Sequence, residues 1–321
     1  MLLNRASIYG GLIAMKRAKI SVIGSGNIGA TTAYLAALKG LGDVVLLDIL
    51  EGIPEGKGLD IYESLPVEGV DCRVTGTNNY ADTAGSDVVV ITAGVARKPG
   101  MSRDDLIGIN RKIITDVVSQ VMKYSPGCIL IVVTNPLDVM VALAHRLSGL
   151  PGQKVIGMAG ILDSARFRCF IADELGVSVE SVSALVLGGH GDTMVPLVRL
   201  ASVGGIPLET LMSAKRLEEI VQRTRDGGAE IVNYLKTGSA YYAPSSSIVE
   251  MVEAIVKDRK KVLPCAAWLQ GEYGVRDLFI GVPVKLGTGG VEQVYEIPLN
   301  DKEKAAFART VEQVRELVKT I

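Results

Sequence analysis

Apolar residues in the first half of the chain gather in short runs separated by longer stretches of helical spacing. The runs 19–24 (KISVIG), 43–48 (DVVLLD), 87–94 (DVVVITAG) and 128–135 (CILIVVTN) have strand length, are rich in β-branched residues and are continuous rather than alternating. Continuous apolar runs belong to strands covered on both faces, the situation of a parallel sheet. Segments 27–40, 103–124 and 137–147 carry apolar residues at helical spacing, and Ser125-Pro126-Gly127 stops the second of them. This strand–helix alternation predicts an α/β fold with a doubly wound parallel sheet in the N-terminal half. The cluster SGLPG at 148–152 ends the pattern. It sets the expected boundary between a nucleotide-binding domain, 15–149, and a second domain, 150–321.

The second half reads differently. Segment 163–175 is helical, and 181–191 (SVSALVLGGHG) reads as a strand running into glycines. Segment 208–234 reads as one long helix kinked at Gly227-Gly228, and Pro244-Ser245 opens another helix through Val256. The β-rich runs and glycine turns of 261–297 suggest an antiparallel meander, and Asn300 with Glu303 has capping-box spacing for a last helix to Ile321. Helices mixed with antiparallel strands predict an α+β second domain.

Composition narrows the function. With 34 basic and 35 acidic residues the formal charge is −1, and nothing in it suggests a nucleic-acid groove, which needs a basic excess clustered on one face. No apolar run reaches the roughly 18 residues needed to span a bilayer. Cys72, Cys128, Cys169 and Cys265 lie far apart with no CxxC pair, and there are only two histidines. No metal site or disulfide framework is expected. Each cysteine reads as a small core residue in a reducing, cytoplasmic setting. Residues 1–14 (MLLNRASIYGGLIA) carry Arg5 and no acid but lack the apolar core of a signal peptide. They read as an N-terminal extension, or as the product of a start codon upstream of Met15.

Gly24-Ser25-Gly26-Asn27-Ile28-Gly29 is a GxGxxG motif. Among 36 glycines such a match means little by itself. Here it follows an apolar run, opens a helical one, and is answered by Asp48 at the end of the next run, 24 positions after Gly24. Gly24 would make the tight turn, Gly26 would let backbone amides approach a pyrophosphate, and Gly29 would let helix and strand pack closely. The helix N-terminus would face the phosphates. Asp48 would accept from an adenosine ribose hydroxyl and repel the extra phosphate of NADP, so NAD is expected. A plain glycine turn beside a solvated carboxylate would present the same residues.

Four further islands carry polar chemistry. The loop 93–106 (AGVARKPGMSRDDL) holds Arg97, Lys98 and Arg103; Thr134-Asn135-Pro136 ends an apolar run; Asp163 and Arg166 lie three apart on a helix; glycines surround His190 in Gly188-Gly189-His190-Gly191-Asp192. Each has an ordinary reading in isolation: a solvated basic loop, a strand end, a surface ion pair, a turn histidine. Taken together, GSGNIGA, TNPLD, GMAGILDSARFR and GGHGD, in this order, resemble the lactate/malate dehydrogenase family from Met15 onward.

That resemblance implies a Rossmann domain binding NAD and hydride transfer to or from C2 of a small 2-hydroxy acid. It implies His190 as general base, Asp163 as its partner carboxylate, Arg166 as the fork holding the C1 carboxylate, and Arg103 and Asn135 on the reacting oxygen. It assigns Gly24, Gly26, Asn27, Ile28, Gly29, Asp48, Thr92, Gly94, Asn110, Thr134 and Asn135 to the cofactor, no metal to the site, and no role to His145. Arg97 falls where malate-specific members have arginine and lactate-specific ones usually glutamine. Met101 stands where many lactate enzymes have a glutamate, and the loop lacks an insertion seen in some of them. The implied substrate is malate or oxaloacetate, with lactate and pyruvate the alternative. Loop 95–103 is expected to close over the substrate, and 240–247 to wall the pocket. The likeness is to the lactate-dehydrogenase-like malate branch, which implies a homo-oligomer, a tetramer ahead of a dimer. A metal- and NAD-dependent glycosidase would need a metal-binding cysteine, and none adjoins His190. A silent NAD-binding protein would have no use for the full polar set.

Overall fold

The computed structural model describes residues 17–96 and 103–321. The N-terminal extension, Arg97, Met101 and most of the loop 95–103 that was expected to close lie outside the described residues, as does the side chain of Arg103.

The chain runs β1 (Lys19–Ile23), α1 (Asn27–Leu38), β2 (Asp43–Leu47), α2 (Ile53–Ser64), β3 (Val74–Thr77), β4 (Val88–Ile91), α3 (Arg103–Tyr124), β5 (Ile129–Val132), α4 (Leu137–Ser148) and β6 (Val155–Gly157). All pairings among β1 to β6 are parallel, in the order 3-2-1-4-5-6. β4 and β5 are buried throughout, which is why their apolar runs are continuous. Strand order reverses between β1 and β4, and the crevice beyond their C-terminal ends is where such sheets bind ligands.

The second half continues with α5 (Gly160–Leu175), β7 (Val182–Ser183), β8 (Val186–Leu187), β9 (Val195–Pro196), β10 (Ser202–Val203), β11 (Ile206–Pro207), α6 (Ala214–Leu235), α7 (Tyr242–Val256), β12 (Lys261–Gln270), β13 (Arg276–Gly287), β14 (Gly290–Val294) and α8 (Asp301–Val318). The meander β12–β13–β14 is antiparallel, and it joins the first sheet through Ala266 opposite Gly157. One mixed sheet of nine strands therefore runs through the molecule. A side chain at Gly157 would sit 2.8 Å from Ala266 Cβ, so the glycine lets β6 and β12 meet. The capping box at Asn300 and Glu303 is formed.

Two expectations need correction. Segment 181–191 is not one strand: β7 pairs with β10, whereas β8 pairs with β9 in a separate small sheet. Segment 208–234 is not one kinked helix. Leu208–Thr210 is a short 3-10 turn, and α6 starts after Ser213, whose side chain caps Arg216 N. It then continues through Gly227-Gly228 to Leu235. Cys72, Cys128 and Cys265 are buried, as expected of small core residues, but Cys169 is exposed on α5. His145 is packed, its ring 4.7 Å from that of Trp268 and 5.3 Å from that of Phe279. No described helix is long and apolar enough to cross a membrane.

Candidate active site

The glycine turn lies between β1 and α1. Gly24 takes φ +104°, a left-handed value that suits glycine, and a Cβ there would come within 2.7 Å of Ala93 N. A Cβ on Gly29 would overlap the Gly24 carbonyl. Gly26 differs, because no heavy atom lies within 4 Å of where its Cβ would be. It is also the N-cap of α1 and supplies no side-chain cap. The first amides of α1, from the exposed Asn27 and half-buried Ile28 onward, therefore face open space with their donors available to an anion. These residues fit the pyrophosphate of a dinucleotide.

Asp48 stands at the end of β2. Its Oδ2 accepts from Ser25 N (2.6 Å) and Ser25 Oγ (3.0 Å), and its Oδ1 from Leu50 N (3.2 Å). Burial pushes its pKa up, but these hydrogen bonds outweigh it and hold the carboxyl below the usual range. Asp48 is thus a fixed negative charge that also clamps the glycine turn through Ser25. Nothing about Ser25 stood out in the sequence, where it is merely the variable position of the motif.

Thr92, Gly94, Asn110 and Thr134 gather behind this turn, with their polar atoms engaged on the backbone. Thr92 Oγ1 donates to Ile23 O (3.1 Å) and Gly24 O (3.0 Å). Thr134 Oγ1 donates to Ala93 O at 2.7 Å. Asn110, fully buried, accepts from Val95 N (2.9 Å) and donates to Val95 O (3.1 Å) and Asn135 O (2.6 Å). A Cβ on Gly94 would stand 2.5 Å from Thr134 Cγ2. These four residues brace the ends of β1, β4 and β5 against one another. Asn135 remains exposed just beyond β5.

His190 follows β8 in a loop held from two sides. Gly189 N donates to Thr310 Oγ1 of α8 (2.9 Å), and His190 N donates to Asp138 Oδ2 of α4 (3.0 Å). A Cβ on Gly189 would lie 2.8 Å from Val314 Cγ2 and 3.2 Å from Asp138 Oδ2, so only glycine fits between the two helices. The imidazole Nδ1 lies 2.9 Å from Asp163 Oδ2, and Nε2 has no hydrogen-bond partner among the described residues. Burial would lower the imidazole pKa, but the charge and hydrogen bond of Asp163, with Asp138 behind, outweigh it and raise it. Asp138 was not among the residues singled out in the sequence.

Asp163 also faces Arg166 one turn along α5, with Oδ1 3.4 Å from Nη1. Burial lowers the guanidinium pKa and Asp163 opposes this. Arg166 Nε is buried without a hydrogen-bond partner among the described residues. A desolvated guanidinium with an unused donor is suited to a carboxylate ligand. Its flank is α6 at the double glycine. A Cβ on Gly227 would lie 3.0 Å from Arg166 Cδ and 3.4 Å from Nε, whereas one on Gly228 would lie 3.8 Å from Nη2. Gly227 thus makes room for the arginine, whereas Gly228 would meet it only at ordinary contact distance. Alanine in a helix interior is favoured over glycine by about 1 kcal/mol, so Gly227→Ala should not unfold the chain. It should displace Arg166 and raise KM for the hydroxy acid about tenfold, while Gly228→Ala stays within about twofold of the parent. Steady-state kinetics of the two variants check this, and equal behaviour would refute it.

Comparison with known proteins accords with this geometry. Residues 18–157 match the NAD-binding domain of lactate/malate dehydrogenase, and 161–321 match the family's alpha/beta C-terminal domain. The chain is 61% identical to malate dehydrogenase of Desulforudis audaxviator over 95% of its own length and 99% of that protein. It superposes on the malate dehydrogenase of Cryptosporidium parvum with TM-score 0.93 at 48% identity, covering 95% and 98% of the two chains. The lactate dehydrogenase of the same organism, solved with lactic acid and NAD, gives TM-score 0.93 at 46% identity over the same shares. The backbone is therefore common to enzymes of both names. This chain belongs to the lactate/malate dehydrogenase family and takes NAD as its cofactor.

Proposed function

We propose that the chain catalyses the reversible, NAD-dependent oxidation of (S)-malate to oxaloacetate. The observation that carries this reading is the line Arg166–Asp163–His190, in which a buried carboxylate joins a half-buried guanidinium to a half-buried imidazole. It offers an anion fork and a proton acceptor with a raised pKa, held by one carboxylate. NAD, when bound, takes up the hydride that leaves C2. His190 Nε2 accepts the hydroxyl proton as the C2–O bond becomes a carbonyl, and returns it in the reverse direction. Asp163 keeps the Nδ1–H tautomer and stabilises the imidazolium that results. Arg166 pairs with the C1 carboxylate, and Arg103 and Asn135 stabilise charge on the reacting oxygen. Thr92, Asn110 and Thr134 serve the cofactor by fixing the loops that receive it.

The choice of malate over lactate rests on Arg97 and on the relatives at high identity named malate dehydrogenase. NADH oxidation with oxaloacetate, pyruvate and 2-oxobutyrate, run side by side, tests it. A cation facing the second carboxylate should favour oxaloacetate in kcat/KM by about a hundredfold. Pyruvate turned over as well as oxaloacetate would make the chain a lactate enzyme. A homo-oligomer, tetramer ahead of dimer, fits the exposed apolar side chains Leu59, Tyr62, Val232, Leu235 and Tyr242. Unbridged thiols fit a cytoplasmic setting.

A further inference from the structure

Asp138 lies in the first turn of α4, three residues after Asn135. It is 6% exposed, and of its two oxygens one accepts the His190 amide while the other, Oδ1, is buried with no hydrogen-bond partner among the described residues. A buried carboxylate with an unsatisfied oxygen is costly, and a neutral amide could accept the same backbone hydrogen bond. The bond alone does not explain why an acid stands there. Its location does, because it sits behind the same histidine that Asp163 holds from the front.

We infer that Asp138 is a second positioning residue for His190, anchoring the histidine through its own amide and favouring the imidazolium form by its charge. It holds the base in place and biases its protonation without touching substrate. The inference rests on the reading of His190 as the proton-transfer group. The described charged groups acting on this pair are Asp163 and Arg166 from α5, which oppose each other in their effect on His190. On the α8 side the loop meets Thr310 and Val314, which do not titrate. Burial pushes the Asp138 carboxyl up to about 6, while His190 draws it back down. Each group therefore acts on the protonation of the other, the carboxylate favouring the imidazolium and the imidazolium the carboxylate.

Asp138→Asn separates the two roles, since the amide oxygen still accepts from His190 N while the charge is gone. Malate oxidation requires the neutral imidazole, so kcat/KM falls as pH drops through the histidine midpoint. In Asp138→Asn that midpoint should move down by about one unit, with the plateau kcat within about threefold of the parent. Asp138→Leu, which cannot accept the hydrogen bond, should also lose plateau kcat by about tenfold or more. A folded Asp138→Asn enzyme whose midpoint stays put would overturn the inference.

A second readout does not depend on turnover. With only His145 and His190 in the chain, imidazole resonances give two titration curves. Asp138→Asn should shift the His190 curve down and leave that of His145 unchanged. This measurement stands even if oxaloacetate proves not to be the substrate. Should the variant not fold, the parent chain decides. A His190 curve with a second inflection from Asp138 supports the coupling, and a simple one-proton curve refutes it.

Discussion

His190→Asn is expected to lower kcat in both directions by about 10² to 10⁴ while NADH binding is nearly unchanged. Asparagine is the informative replacement because its amide N–H can reach where Nδ1–H donates to Asp163. That carboxylate is 1% exposed, and its other described cationic neighbour, Arg166 Nη1, stands 3.4 Å from Oδ1. Alanine would leave the acid without its closest partner and mix a folding penalty into the kinetic one. Asparagine removes only the nitrogen that exchanges a proton with substrate. The pH profile supplies the sign. Since the imidazole pKa is raised, the parent enzyme should lose malate oxidation as pH falls through a midpoint above the ordinary value of about 6.5. Oxaloacetate reduction should weaken as pH rises through the corresponding midpoint. In the asparagine variant both limbs should vanish with the rate. Stopped-flow and steady-state rates across pH check this. Residual activity within tenfold of the parent, or a surviving acid limb, would remove His190 from the proton-transfer role.

The fold was legible where the residue pattern had a single structural cause. The helix 103–124 agrees with α3 end for end because a long amphipathic period meets a Ser-Pro-Gly stop. Short elements were not legible. β3 and β6 have 4 and 3 residues, too few for any period to show, and α2 is interrupted by Gly56 and Gly58. A Cβ on Gly58 would lie 2.5 Å from Gly76 N, so this glycine answers to a strand across the fold rather than to its own helix. Gly227 misled for the same reason: its cause is Arg166, some sixty positions away. Segment 181–191 looked uniform, yet its two ends pair with different partners, which no local signal encodes.

The site divided along similar lines. The glycine turn, Asp48, Asp163, Arg166 and His190 stood in motifs. Of the side chains that hold them, Ser25 and Asp138 sat inside these motifs with no role assigned to them, and Thr310 stood in none. Asp138 reads in sequence as an ordinary acid in a helix first turn, where it suits the dipole, and its partner His190 lies 52 residues on. Thr310 on α8 is a further 120 residues beyond His190. Fixing a reactive group requires contacts from several elements, so the residues that position chemistry are the ones a linear pattern hides.

Substrate identity is the opposite case, in which the fold is silent and one sequence position speaks. Malate and lactate dehydrogenases of one organism superpose on this chain equally well, at TM-score 0.93. The choice must lie in side chains that meet the far end of the substrate, a carboxylate in oxaloacetate and a methyl group in pyruvate. Arg97 is the candidate, by sequence position. Arg97→Gln is expected to leave that second carboxylate desolvated and unpaired, a loss of about 2–5 kcal/mol, or roughly 30-fold to several thousandfold in kcat/KM for oxaloacetate. Pyruvate carries no charge there, so its kcat/KM should hold or rise, and the ratio of the two substrates should move further than either alone. Arg97→Lys keeps the charge but not the planar fork, and should fall between parent and glutamine variant. Because His190, Asp163 and Arg166 are untouched, the pH midpoint should stay where it was while specificity changes. Oxaloacetate turnover surviving within threefold in Arg97→Gln would assign the selection to another residue, and a midpoint that moved with it would mean that Arg97 acts on the base rather than on the substrate.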